Sequence, residues 1–200
     1  MRTKYAVAFQ RAFIFALVVA LAAMIGGRVG TASAADCPPP PSAVQPFVKW
    51  SDANSYVLTT GGSFEPGSAL WSLGGGAKVT TGNAPNPIGS SSDSYSLSLP
   101  PGSSVTSACV TAPKIVGIVR FFAKNSGTVG TQLKVEVLVK GGVYQAGTIT
   151  PGSSWMPTPM LRSNAPEYKG AVTYQVRLTA LGSGGALNVD DMYFDPYVSR

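Results

Sequence analysis

The chain has 200 residues, of which 12% are charged, and it contains no histidine. That absence removes the usual general base for a serine or cysteine nucleophile, and with it the commonest transition-metal ligand. Four of the 15 basic residues (Arg2, Lys4, Arg11 and Arg28) fall in the first 35 positions, so the rest of the chain sets eleven basic against nine acidic residues. It has no basic stripe of the kind that neutralises phosphates, and nucleic acid is not an expected partner.

Basic residues with no acidic one open the chain, and an apolar run follows from Ala12 to Ile25. Thr31-Ala32-Ser33-Ala34-Ala35 then offers small residues at the −3 and −1 positions for cleavage. This order is the secretory pattern, so residues 1–35 are expected to be a signal peptide and the mature protein to be extracellular. The run falls short of the ~20 apolar residues of a spanning helix, and no membrane contact is expected after cleavage. Export places Cys37 and Cys109, the only cysteines, where disulfides persist, and the two are expected to pair. Thiolate and zinc-thiolate chemistry are then excluded as well.

In chain order, Pro38 to Pro41 reads as a stiff, extended lead-in, which gives residues 36–46 as a proline-rich segment and 47–200 as one domain. Ser94 to Leu99 places Tyr95, Leu97 and Leu99 on one face and serines on the other. Ile115 to Phe122 is more continuously apolar, interrupted by Gly117 and Arg120, and suits a strand near the centre of a sheet. Leu133, Val135, Val137 and Val139 form an apolar face opposite Lys134, Glu136 and Lys140. Val172, Tyr174, Val176, Leu178 and Ala180 form another, opposite Thr173, Gln175, Arg177 and Thr179. Glycine and proline clusters at 61–62, 74–76, 83–87, 100–102, 141–142 and 182–185 punctuate these runs. Period-two alternation without a helical window predicts an all-β fold, an antiparallel β-sandwich or jelly roll.

The chemistry left open is that of carboxylates. Glu65, Glu136, Glu167, Asp190, Asp191 and Asp195 could in principle supply a glycosidase pair, but scattered carboxylates on such a domain are usually solvated, and no enzyme is expected. Two acidic clusters, one around Glu65 and one at Asp190-Asp191, could instead supply oxygens to a hard cation such as calcium, or remain solvated turns. Arg120, Glu136, Gln175 and Arg177 read as the polar side of a sheet that could hydrogen-bond sugar hydroxyls. Tyr144 and Tyr168 fall in turn-like contexts where an exposed ring could contact a ligand.

The order Gly61-Gly62-Ser63-Phe64-Glu65, Trp71, a Ser/Leu strand, Trp155 to Leu161, and a closing Val189-Asp190-Asp191-Met192 resembles carbohydrate-binding modules with a galactose-binding-like jelly roll. The likeness covers roughly Trp50 to Tyr197. It implies a non-catalytic domain with carbohydrate or polysaccharide as partner, core positions for Trp71 and Trp155, and a structural calcium held by Glu65 and Asp190. Sugar-binding members usually display aromatic platforms, and no residue here is assigned to one. The alternative is an extracellular structural or interaction domain on the same scaffold without a sugar site.

Overall fold

The computed structural model describes residues 37–67, 70–85, 91–112, 117–166, 168 and 170–195. The expected signal peptide, residues 115–116 of the run ending at Phe122, and Glu167 lie outside these. Thirteen strands occur among the described residues: β1 (Val57–Leu58), β2 (Ser72–Gly74), β3 (Lys78–Thr81), β4 (Tyr95–Leu99), β5 (Ser104–Thr106), β6 (Val110–Ala112), β7 (Ile118–Asn125), β8 (Gln132–Val139), β9 (Gly142–Ile149), β10 (Met156–Pro157), β11 (Leu161–Arg162), β12 (Val172–Leu181) and β13 (Leu187–Asp195). They form two antiparallel sheets. One has the order β10-β7-β13-β4-β3, with β1 also on β13 and β11 on β7; the other has the order β2-β5-β12-β8-β9, with β6 also on β12. Helix is limited, among the described residues, to a 3-10 turn at Val48–Trp50. The antiparallel sandwich of the jelly-roll class expected from the alternation is the fold observed.

The main core lies between the sheets. Leu133, Val135, Val137 and Val139 of β8 and Val172 to Ala180 of β12 turn their apolar sets inward, against Val119, Phe121, Val189 and Phe194 of the opposite sheet. The β8–β9 hairpin closes through Lys140 and Gly141, both at positive φ (48° and 76°), with Val139 opposite Gly142. Positive φ at both central residues is what a two-residue hairpin turn requires for its twist to match the strands. Strand β9 therefore begins at Gly142, and Tyr144 lies in a strand rather than in the expected turn.

A second apolar cluster lies on the outer side of the seven-stranded sheet. Ile118, Phe122 and Tyr193 are covered there by Phe47, Tyr56 and Ala84, with Trp50 and Trp155 half-buried at its margin. The cover is the segment from Val44 to Tyr56, closed on itself by paired hydrogen bonds between those two residues. Here Arg120 departs from expectation. It is buried in the seven-stranded sheet, ion-paired to Asp52, with its Nε donating to the Thr158 carbonyl at 2.9 Å and its guanidinium 4.5 Å from the Phe47 ring. Arg120 thus belongs to a packed outer layer, not to the polar sheet face with which its sequence alternation grouped it.

The predicted pairing of Cys37 with Cys109 is present. The bond fastens the proline-rich lead-in beside β6, where the Thr111 N–H donates to the Pro38 carbonyl and the Thr111 hydroxyl to that of Cys37, both at 3.0 Å.

Candidate functional site

The solvent face of the six-stranded sheet gathers polar side chains in register. Strand pairing aligns Ser72, Thr106, Arg177, Glu136 and Gln145 in one row across β2, β5, β12, β8 and β9. The next row is Gly74, Ser104, Thr179, Lys134 and Thr148. Each row crosses four inter-strand gaps, about 19 Å at the usual ~4.8 Å strand spacing. Every other residue of these strands faces the core, so alternation alone delivers the polar set to one side.

Within the rows, Glu136 is the anchor. Arg177 Nε donates to its Oε2 at 2.9 Å and Lys134 Nζ lies 3.1 Å from its Oε1. Burial pushes the Glu136 carboxyl up, but the Arg177 and Lys134 contacts outweigh this and hold it below the usual carboxylate range. Gln175, one row away, donates from Nε2 to the Ser107 carbonyl at 2.8 Å. Ser104 and Thr179 hydroxyls lie 3.2 Å apart. Beside Gln175, at the hairpin end, is a hollow of about 290 Å³ lined by Leu138, Lys140, Val143 and Thr173. The face can exchange hydrogen bonds with a hydroxyl-rich ligand over several strands.

Of the predicted ligand-binding residues, Glu136, Gln175 and Arg177 share this face. Tyr144 does not: it pairs with inward-facing Val137, packs half-buried against the core, and its hydroxyl lies 3.3 Å from that of Tyr168. The Tyr168 ring is half-buried too and carries Lys140 Nζ 4.6 Å from its centroid. Trp71 is buried 5.2 Å from the Phe64 ring, as expected. Trp155 is only half-buried, with Lys124 Nζ 5.0 Å from its ring. Sequence reading missed Ser104, Thr106 and Gln145; the Ser-Val-Thr alternation of β5 was the available signal for the first two.

The second site is acidic. Phe64 is fully buried and sits in a turn at φ 60°. Glu65 then points back to β4, accepting at Oε1 from the Ser94 and Tyr95 N–H groups, each at 2.8 Å. The preceding turn is tied to β13: Thr59 N–H and hydroxyl both donate to the Met192 carbonyl, and Met192 N–H donates to Gly62. Gly62 is required there, because a Cβ would stand 2.3 Å from Thr59 Oγ1 and 2.8 Å from the Met192 carbonyl. A bulge between Asp190 and Tyr193 inserts one extra residue opposite β7, with Asp191 at φ 48°. Asp190 lies beneath Ala84, whose N–H donates to its Oδ2 at 2.8 Å, and the Asp191 N–H donates to Oδ1 at the same distance.

Burial pushes Asp190 up to about 8; the charges of Asp191 and Glu65 add to this, against the two N–H donors. Asp191 rises to about 6 through burial and the charges of Asp93 and Glu65. Glu65 is thus near enough for its charge to act on both Asp190 and Asp191, and Asp93 for its charge to act on Asp191. Among the described residues no group of three His, Cys, Asp or Glu side chains is arranged to hold a metal by itself. A cation here would draw its remaining ligands from backbone carbonyls. The carboxylate oxygens here are hard donors, the type calcium takes. At 3% and 4% exposure, Asp190 and Asp191 are buried.

No protein-family model and no curated protein matches the chain. Solved structures similar to it include carbohydrate-binding modules. TmCBM61, in complex with β-1,4-galactotriose, is 19% identical over 68% of this chain and 96% of its own, at a TM-score of 0.44. The CBM22-1 xylan-binding domain from Paenibacillus barcinonensis is 15% identical over 69% and 93%, at 0.46. A family 11 carbohydrate-binding module from Clostridium thermocellum, in complex with a β-1,3-1,4-mixed-linked tetrasaccharide, is 16% identical over 74% and 100%, at 0.39.

Proposed function

We propose that this chain is a secreted, non-catalytic carbohydrate-binding module whose ligand lies across the solvent face of the six-stranded sheet. The observation that carries this reading is the pair of polar rows running over five strands, with Arg177 and a set of hydroxyls open to one side, Glu136 beneath Arg177 and Gln175 one row away. Sugar hydroxyls both donate and accept, and a face mixing guanidinium, carboxylate, amide and hydroxyl groups offers both partners. The lack of histidine and the burial of the acidic pair support a binding role over a hydrolytic one. The disulfide and the leader pattern support export.

A panel of soluble polysaccharides tested by affinity electrophoresis checks the reading. At least one should retard the protein, and Arg177→Ala should weaken that interaction by about 1.5–3 kcal/mol, the usual worth of a hydrogen bond to a charged group, with the fold intact by circular dichroism. If no polysaccharide binds, the domain is an extracellular structural or interaction domain on the same scaffold.

Calcium belongs to the same proposal, as a structural ion between Glu65 and Asp190. Two carboxylates that repel each other under cover are stabilised by a cation, and binding to the native state adds about 2.7 kcal/mol at a hundredfold excess over Kd. Chelation should lower the Tm by roughly 5–10 °C for a domain of this size. Glu65→Ala and Asp190→Ala should each lower the Tm and abolish the chelator effect. An unchanged Tm in chelator, with no metal by elemental analysis, would leave Glu65 as a cap on the β4 N–H groups only.

A further inference from the structure

The charges on the polar face are not evenly presented. Glu136 is the only carboxylate in the two rows, and its side chain is 10% exposed, against 32% for both Lys134 and Arg177. An incoming ligand therefore meets the cations, while the anion beneath holds them in place. Arg177 spends its Nε on Glu136, which turns the guanidinium edge carrying the two terminal nitrogens away from that contact. A planar guanidinium fixed in this way is preorganised to grip a second carboxylate through two parallel hydrogen bonds. Lys134 sits one row away on the neighbouring strand, and Lys140 lines the hollow beyond Gln175. No aromatic side chain occupies either row, so ring stacking does not supply the recognition there.

We infer that the face selects an acidic glycan, a polysaccharide bearing uronate carboxylates, with Arg177 taking a carboxylate and Lys134 beside it. This rests on the carbohydrate-binding reading above and names its ligand class. The carboxylate must be carried on a hydroxyl-rich backbone, because the hydroxyl and amide groups of Ser104, Thr106, Thr179 and Gln175 surround the cations. A polyanion without sugar hydroxyls in register would use only part of the face.

The test compares polygalacturonate and alginate with their carboxyl-reduced neutral counterparts, alongside a panel of neutral polysaccharides and duplex DNA, on the disulfide-bonded protein. At least one uronate polymer should bind about tenfold or more tighter than its reduced form, weaken as salt rises, and exceed DNA by a similar factor. Arg177→Gln should lose about tenfold or more, and Arg177→Lys, which keeps the charge but not the fork, should recover only part of it. Lys78→Gln, on the edge strand of the other sheet, should leave binding unchanged. Equal or tighter binding of neutral polymers, with Gln175→Ala still weakening it, overturns the acidic preference and leaves the carbohydrate reading standing. Binding of DNA as tight as that of the uronate polymers reduces the face to a general polyanion attractor and also overturns the inference. Retention by no polymer overturns both.

Discussion

Asp52→Ala should destabilise the domain by about 3–5 kcal/mol, the usual cost of leaving one member of a buried ion pair without its partner. Asp52 accepts from the Tyr56 hydroxyl at 2.6 Å and from Arg120, and its other oxygen accepts from the Asn54 N–H at 3.1 Å. Its loss leaves Arg120 charged among Phe47, Tyr56 and the β7 backbone, and the Val44 to Tyr56 cover loses its central tie. Arg120→Ala should cost a similar amount. The double variant Asp52→Leu/Arg120→Met should be more stable than either, because an apolar pair needs no compensating charge. Urea unfolding measures all three. Costs below about 1 kcal/mol, simply additive in the double variant, would mean that the cover is held by packing alone.

The same pair sets a pH dependence. Burial pushes the Asp52 carboxyl up, but the bonds from Tyr56, the Asn54 N–H and Arg120 outweigh it and hold the group below its ordinary value of 3.8. The native state thus binds this proton less tightly than the unfolded chain. Its contribution is complete above the ordinary value and is lost as the pH falls through the native one. Asp52→Ala should therefore flatten the acid limb of the stability profile below about pH 4.

Replacing Cys37 and Cys109 by serine should cost about 4 kcal/mol, the chain-entropy value for a bond spanning 72 residues. The lead-in should also become accessible to protease, since the disulfide fastens it to the domain beside its two bonds to Thr111. A variant within about 1 kcal/mol of the wild type by urea unfolding would mean that the unfolded chain gains little freedom when the link is cut.

The sandwich was legible because β8 and β12 alternate cleanly, and every inward residue named from their period of two is buried. Arg120 was not legible. The run around it is apolar on both sides, because its outer side meets a second core supplied by residues 44–56, far away in sequence. Alternation reports only that one face is polar, and a lone arginine between two hydrophobic layers reads the same way. Tyr144 was misjudged for a local reason: Gly141-Gly142 reads as the turn, whereas the positive φ falls on Lys140 and Gly141, which moves the start of β9 forward. Asp52 carried no signal at all, since its value lies in Arg120, 68 residues away. Glu65 and Asp190 were paired through the resemblance, whereas the Thr59–Gly62 turn bonded to the Met192 bulge lies in backbone geometry that residue types do not announce.

A glycan should touch the domain on the polar face of the six-stranded sheet. Backbone amide shifts measured by NMR during titration with an oligosaccharide of a retained polysaccharide would locate it. The expected perturbations centre on Ser104 to Thr106, Lys134 to Leu138 and Gln175 to Thr179, and Arg177→Ala removes them. Perturbations confined to the outer side of the seven-stranded sheet, around Trp50 and Trp155, with the Arg177→Ala variant titrating like the wild type, would contradict it.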